Sequence, residues 1–106
     1  MAYSVEFTPE AQQQLIDMLR YIEANAADSD AGGRFVQGIL QFCETLAEFP
    51  ERARRRDDIR PGLHLTNYKR RAVIAYAFEA SLVSIIGIFY AGRDYESVLK
   101  PADDPT

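Results

Sequence analysis

The sequence predicts an α+β fold in which an N-terminal strand precedes a two-helix antiparallel hairpin and a three-stranded antiparallel meander. Two segments in the first half repeat apolar residues at three- and four-residue steps, which is the spacing of one helix face. Three segments in the second half are rich in Ile, Val, Phe and Tyr and are joined by short turns, which is typical of an antiparallel sheet. A chain of 106 residues is expected to form one domain with one hydrophobic core.

The N-terminal residues predict a strand followed at once by a helix. Tyr3, Val5 and Phe7 alternate with polar residues, so this strand should bury one face. Thr8 can accept the free amide protons of a first helical turn, and Pro9 suits the first position of that turn. The helix should run to about residue 26. Its apolar face consists of Ala11, Leu15, Met18, Leu19 and Ile22.

A second helix is predicted to begin at the capping residues of segment 28–30 and to end at Pro50. Because the link to the first helix is short, the two helices should form an antiparallel hairpin. Gly32 and Gly33 weaken the first turn by about 1 kcal/mol each relative to alanine, and a close approach of the two helices would explain them. The apolar face of this helix consists of Phe35, Ile39, Phe42, Cys43, Leu46 and Phe49.

Residues 50–62 are expected to form a polar, arginine-rich loop that leads into the sheet. Strands are predicted at Leu63–Asn67, Arg70–Glu79 and Leu82–Tyr90. The last two are apolar on both faces, so either both faces of the sheet are covered or one of them awaits a partner. The domain should span residues 1–99, and residues 100–106 should form a frayed tail.

Positive charge is concentrated in the segment from Arg52 to Arg71. This segment holds eight basic and two acidic residues, a net charge of +6, whereas the rest of the chain carries −10. A positive patch on an acidic body can attract phosphate groups or an acidic protein segment, although an arginine-rich loop can also be simply solvated. The basic residues of the patch are Arg52, Arg54, Arg55, Arg56, Arg60, Lys69, Arg70 and Arg71.

Other features of the composition narrow the possible classes of protein. No apolar run approaches the roughly 20 residues needed to span a bilayer, and the N-terminus lacks the regions of a signal peptide, so no membrane contact is expected. The single cysteine, Cys43, excludes an internal disulfide and fits a reducing cytosol. With one histidine and no Cys-His pair or carboxylate cluster, neither a metal site nor a cofactor is expected. We therefore expect a cytoplasmic protein.

Several short motifs occur in order between Tyr3 and Leu99 and together cover nearly the whole chain. They are Phe7-Thr8-Pro9-Glu10-Ala11, Tyr21-Ile22, Arg34-Phe35, Phe49-Pro50-Glu51-Arg52, Arg60-Pro61-Gly62-Leu63, Tyr68-Lys69-Arg70-Arg71, Ile74-Ala75-Tyr76 and Ile88-Phe89-Tyr90-Ala91-Gly92-Arg93-Asp94-Tyr95-Glu96. With this order of elements, the chain resembles the ParE branch of the RelE/ParE toxin superfamily. The resemblance implies a type II toxin that is neutralised by a small ParD-like ribbon-helix-helix antitoxin, through which alone it would reach operator DNA.

The resemblance leaves two kinds of target open, because ParE toxins poison DNA gyrase whereas RelE-like members cut messenger RNA on the ribosome. Such a nuclease needs a proton acceptor, protection of the leaving oxygen and positive charge on the phosphate. The resemblance places His64 and Thr66 at the positions of a lysine pair and Val73 near one arginine position. Arg93 keeps the other arginine, and Leu99 replaces a tyrosine.

Of these residues, only Arg93 and His64 are candidates for nuclease chemistry. Arg93 could stabilise a phosphate, but a guanidinium stays protonated at neutral pH and cannot act as a base. His64 could act as a base, although a lone histidine on a strand is more often structural. We therefore assign no catalytic residues in the preferred interpretation, which is a toxin that inhibits gyrase by binding it.

Arg93, Asp94 and Tyr95 leave the last predicted strand together and are the predicted target contact, since a guanidinium and an aromatic ring can anchor a partner. In the alternative, Arg93 pairs with a nearby carboxylate and Tyr95 packs on the sheet edge. The basic patch is expected to steer the acidic tail of the antitoxin or to contact gyrase-bound DNA. A third possibility is an inert module that binds its antitoxin and represses an operon without poisoning any target.

Overall fold

The computed structural model describes residues 3–28, 30–90 and 95–99, which form two long helices and a five-stranded sheet and confirm the α+β class. The helices are α1 (Pro9–Asn25), α2 (Ala31–Thr45) and the short α3 (Tyr95–Leu99), and a 3-10 turn lies at Pro50–Arg52. The strands are β1 (Ser4–Phe7), β2 (Arg54–Arg55), β3 (His64–Tyr68), β4 (Ala72–Glu79) and β5 (Leu82–Tyr90). The tail predicted at residues 100–106 lies outside the described residues.

The strands lie in the order β1-β5-β4-β3-β2. β3, β4 and β5 form the predicted antiparallel meander. β1 pairs with β5 in parallel, which places Val5 beside Val83. The helical hairpin carries the chain from β1 at one edge of the sheet to β2 at the other edge, and β3 and β4 then lead back to β5.

The first helix follows its prediction closely. The Thr8 hydroxyl accepts a hydrogen bond from the Ala11 amide at 3.1 Å, and Pro9 occupies the first turn. Met18 and Ile22 are buried against the sheet, whereas Leu15 and Leu19 are half-buried. The predicted apolar face is therefore the packed face.

The predicted end of the second helix is wrong, because α2 ends at Thr45 and not at Pro50. The Leu46 amide bonds to the Cys43 carbonyl at 3.1 Å, which is the tighter bonding of a final helical turn. The Ala47 carbonyl then accepts the Tyr3 amide of the sheet edge at 3.0 Å, so the chain is already turning. Phe49 consequently does not belong to the apolar helix face, and it is 65% exposed.

Segment 50–62 is not only a loop, because it contains the 3-10 turn and β2. β2 pairs with β3 over two residues, with Arg54 beside Leu65 and Arg55 beside His64. β4 begins at Ala72, not at residue 70, because Lys69 and Arg70 form a tight turn. The predicted start of β4 was wrong because arginine by itself does not indicate whether a strand has begun.

The sheet buries apolar residues on both faces, which is one of the two predicted alternatives. The face under α1 and α2 carries Ala72, Ile74, Tyr76, Val83, Ile85 and Ile88. The opposite face carries Leu65, Ala75 and Phe89, which pack with Ile59, Leu63 and Leu99 from the loop before β3 and from α3. The loop before β3 and α3 thus cover the second face of the sheet, as the helical hairpin covers the first.

A bulge in β5 fixes how α1 docks. Ala75 pairs with Gly87 and Tyr76 with Ile85, so Ile86 is an extra residue in the ladder. The Thr8 hydroxyl donates to the Ile86 carbonyl at 3.2 Å. The Gln14 side chain accepts the Ile88 amide at 2.7 Å, which satisfies a backbone group that β1 is too short to reach.

Glycines of α2 mark close contacts, and two of them allow a matched test. A Cβ at Gly32 would lie 2.9 Å from the Leu19 side chain, so the predicted close approach of the helices is present there, but Gly33 faces open space. A Cβ at Gly38 would collide with the Tyr68 hydroxyl, whose ring packs between Phe35 and Phe42.

We expect Gly38→Ala to lower the free energy of unfolding by about 1–3 kcal/mol, because the tyrosine ring must move. The control Gly33→Ala should raise it by about 1 kcal/mol through helix propensity alone. Urea denaturation of both variants checks this pair. Equal effects would show that the ring has room to yield.

Candidate functional site

Part of the predicted basic patch is neutralised within the protein. Arg55 lies 2.7 Å from the Asp57 carboxylate. Arg56 lies 2.8 Å from Asp58 and 3.4 Å from Glu96 at the start of α3. Hydrogen bonding from Arg56 holds the pKa of Asp58 below its usual value, and it raises the pKa of the arginine in return. These arginines therefore offer little net charge to a partner.

Two more arginines of the patch hold the fold together. The Arg60 Nε donates to the Leu99 carbonyl at 3.0 Å and fastens α3 to the loop before β3. Arg52 donates to the Thr45 hydroxyl and lies 5.4 Å from the centroid of the Phe42 ring, at the end of α2. The side chains of Arg52 and Arg60 are therefore occupied by contacts within the protein.

The other four cations, Arg54, Lys69, Arg70 and Arg71, form what we call the open cation group. No ion pair joins any of them to another residue within 3–28, 30–90 and 95–99. Arg71 is nevertheless held in place, because it lies 4.8 Å from the Phe35 ring centroid and donates to the Tyr90 hydroxyl at 2.7 Å. The group thus combines exposed charge with one anchored guanidinium.

The turn between β3 and β4 is strained. Lys69 has φ 53° and Arg70 has φ 58°, and the Tyr68 carbonyl accepts the Arg71 amide at 3.0 Å across them. A type I′ turn requires this pair of positive φ values and normally uses Asn and Gly. Two long cationic residues occupy these positions instead. Backbone strain retained at exposed residues points to a role for their side chains.

A shallow trough lies beside this turn, on the sheet face opposite the long helices. It consists of two adjoining cavities of about 210 Å³ each, which share Asn67, Val73 and Tyr95. Arg70 and Arg71 line one cavity, and Arg54 and Arg56 line the other. The trough therefore has arginine residues at both ends and amide, apolar and phenol side chains between them.

The residues suggested for nuclease chemistry do not share one face of the sheet. His64 is 8% exposed, its ring stacks on Tyr76 at 5.4 Å, and its Nδ1 lies 3.2 Å from the Gly62 carbonyl. His64 and Thr66 alternate onto the helix-facing side of β3, whereas Val73 lines the trough on the opposite side. The imidazole is therefore separated from the trough by the sheet.

Of the predicted target contact, only Tyr95 can be located, because Arg93 and Asp94 lie outside the described residues. Tyr95 begins α3, and its ring lies 6.1 Å from that of Phe89. It packs on the sheet and lines the trough at the same time. Leu99 is buried at the end of α3.

Other kinds of site find little support in the part of the chain that the structure describes. No group of three His, Cys, Asp or Glu side chains there could hold a metal ion. No helix there is long and apolar enough to cross a membrane. Cys43 is fully buried, and burial raises the pKa of its thiol to about 12, so it remains a neutral core residue.

Comparisons with known proteins identify the family. The family model described as the ParE toxin of type II toxin–antitoxin system, parDE, matches residues 5–95. This chain belongs to the ParE toxin family. It is a type II toxin–antitoxin toxin of the ParE/RelE superfamily, as its motifs suggested. A search of curated protein sequences gave no match.

Solved structures agree on the ParE toxin fold. The chromosomal ParDE toxin–antitoxin system of P. aeruginosa contains a chain with a TM-score of 0.73 and 15% identity, over 85% of this chain and 97% of that one. The RelBE2 toxin–antitoxin complex of Mycobacterium tuberculosis contains one with a TM-score of 0.62 and 18% identity, over 86% of this chain and 100% of that one. At these identities the likeness shows a shared fold.

Sequence reasoning missed Asn67 as a lining residue of the trough, and it named Val73 only near an arginine position of the nuclease members of the superfamily. Valine is a common strand residue and asparagine is not, and only the pairing of Asn67 with Val73 across β3 and β4 places them together on the trough face. The alternation of β3 was a usable signal, because it puts residues 65 and 67 on one side and residues 64 and 66 on the other.

Proposed function

We propose that this ParE toxin acts in the cytoplasm by binding DNA gyrase and is neutralised by a ParD-like ribbon-helix-helix antitoxin. The observation that carries the proposal is the chemistry of the trough. Its polar lining groups are guanidinium, amide and phenol, which bind phosphate and protein groups well. The imidazole of His64, the side chain best suited to proton transfer at neutral pH, lies on the other side of the sheet.

The open cation group is the part of the surface that we assign to the target. Arg54 and Arg70 stand at opposite ends of the trough, and Tyr95 lies between them. An aromatic ring flanked by arginines is a common centre of binding energy in protein interfaces. Arg93 and Asp94 remain proposed contacts because they precede Tyr95 directly in the chain.

The first experiment measures gyrase supercoiling and the amount of cleaved gyrase–DNA complex with purified toxin. We expect inhibition and trapped cleavage complexes with the natural chain. The double variant Arg54→Ala/Arg70→Ala should need a concentration about tenfold or more higher, because two contacts are lost. Arg55→Ala is the matched control, since Asp57 already neutralises Arg55, and it should act as the natural toxin does.

The competing function is a RelE-like nuclease that cuts messenger RNA on the ribosome. Cleavage by the natural chain in a translating extract, with gyrase unaffected, would replace our proposal. Loss of that cleavage in His64→Ala and Arg93→Ala would identify the residues involved. No growth defect on expression without antitoxin would favour the inert module.

A further inference from the structure

The side of α1 that faces away from the core carries a strip of four exposed residues, which are Gln13, Asp17, Arg20 and Ala24. Their spacing of four, three and four positions keeps them within a strip about 60° wide along the helix. The same alternation of three- and four-residue steps forms the contact line between two helices of a coiled coil. The strip is therefore a surface on which a second helix can lie.

Two opposite charges in this strip lie one helical turn apart without pairing with each other. Asp17 accepts a hydrogen bond from the Gln13 side chain at 3.0 Å. No ion pair joins Asp17 or Arg20 to another residue in the part of the chain that the structure describes. On α2, by contrast, the exposed Arg34 pairs with Asp28. The strip on α1 thus offers a carboxylate and a guanidinium to an outside partner.

These charges are arranged to match a second copy of the same strip. In an antiparallel pair of identical helices related by a two-fold axis, each contact occurs twice with the two residues exchanged. An axis midway between Asp17 and Arg20 makes each of them face the other on the second copy. The same point lies midway between Gln13 and Ala24, so the small alanine of one helix meets the longer glutamine of the other. A parallel pair would instead place like charges together.

Large apolar side chains border the strip on both sides. Tyr21 is 52% exposed and Ile16 is 44% exposed, and they are two of only four large apolar residues with such exposure among those described. A cavity of about 150 Å³ lies on the Tyr21 side, where Asp17 and Tyr21 face Ile88 and Tyr90 of β5. The two-fold axis brings the same side of each helix together, so Tyr21 of the second copy lies beside this cavity. Burial of these side chains would stabilise the pair, whereas exposed ion pairs alone contribute little.

We infer that α1 is a self-association surface through which two copies of this toxin form an antiparallel two-fold dimer. The inference depends neither on the target nor on the antitoxin. The trough stays accessible in this dimer, because it lies on the sheet face opposite the long helices. A single pair of 17-residue helices buries less area than a typical stable interface, so we expect a dissociation constant on the order of 10–100 μM.

Sedimentation equilibrium of the toxin, purified free of antitoxin, tests the dimer at concentrations from about 1 μM to 1 mM. Asp17→Arg and Arg20→Asp each place like charges in contact twice, so each variant alone should dimerise at least about tenfold more weakly. An equimolar mixture of the two variants should associate about as well as the natural chain, because every arginine of the strip then faces an aspartate. Circular dichroism of each variant reports whether it folds.

The matched control is Glu44→Arg, which makes the same change of net charge as Asp17→Arg but lies on the exposed side of α2. It should leave the dissociation constant unchanged. Recovery in the mixture supports the inference, because only a contact between copies lets one variant compensate for the other.

Three results would overturn the inference. The first is a natural chain that stays monomeric over the whole range, and the second is a dimer that both variants form as well as the natural chain does. The third is a mixture that associates as weakly as each variant alone, since the strip is then not paired in the antiparallel sense. If the toxin is monomeric and the two variants weaken antitoxin binding instead, the strip belongs to the antitoxin. Gyrase inhibition is measured separately and is not decided by any of these results.

Discussion

Replacing Lys69 and Arg70 by Asn and Gly is expected to stabilise the fold and weaken binding at the same time. Both residues adopt positive φ. This conformation is unfavourable for residues that have a Cβ atom and is not unfavourable for glycine. The Asn-Gly pair suits the type I′ turn, so the free energy of unfolding should rise by about 1–2 kcal/mol. The same change removes two cations of the open group, so antitoxin and gyrase affinity should fall about tenfold or more.

The β4–β5 turn supplies the control for this trade-off. Ala80 also has positive φ, at 55°, but it carries no charge. Ala80→Gly should therefore stabilise the protein and leave both affinities unchanged. Urea denaturation gives the stabilities, and titration with antitoxin and gyrase gives the affinities. A Lys69→Asn/Arg70→Gly protein that binds as well as the natural chain would remove the turn from the functional surface.

Tyr76→Ala should cause the largest loss of stability of any change considered. Tyr76 is fully buried in β4, its hydroxyl donates to the Pro50 carbonyl at 2.6 Å, and its ring stacks on His64. Removing a buried aromatic ring costs about 3–5 kcal/mol. Since small domains have only about 5–15 kcal/mol of stability, much of the variant should be unfolded at 37 °C.

Tyr76→Phe separates the hydrogen bond from the packing. It keeps the ring and removes only the hydroxyl, so we expect a loss of about 1–2 kcal/mol. Thermal and urea denaturation of the two variants measure both terms. Similar losses in the two variants would mean that the bond to Pro50, which joins the sheet to the segment after α2, matters more than the ring.

The fold was predictable because local sequence signals mark the start and the buried face of most of its helices and strands. Thr8 and Pro9 start α1 as expected, and the apolar period of that helix matches the face that is buried. β5 has the predicted bounds because its long run of Ile and Phe suits a central strand. Errors occurred where tertiary contacts decide, as at Ala47, whose bond to Tyr3 turns the chain before Pro50.

The candidate site was less predictable, because sequence shows charge but not its partners. The patch of eight cations could be found from composition, yet the division into neutralised and open residues depends on where Asp57, Asp58 and Glu96 lie. The left-handed backbone at Lys69 and Arg70 could not be predicted from the sequence, because lysine and arginine usually avoid positive φ.

The parallel pairing of β1 with β5 makes the fold depend on residues that are far apart in sequence. Ser4 lies beside Leu82, and Thr8 bonds to Ile85 and Ile86 across a similar distance in sequence. A nascent chain that stops before Leu82 has synthesised both long helices but has no strand to receive its N-terminus. Products that terminate before β5 therefore cannot assemble this sheet, and the toxin can fold only after β5 has been synthesised.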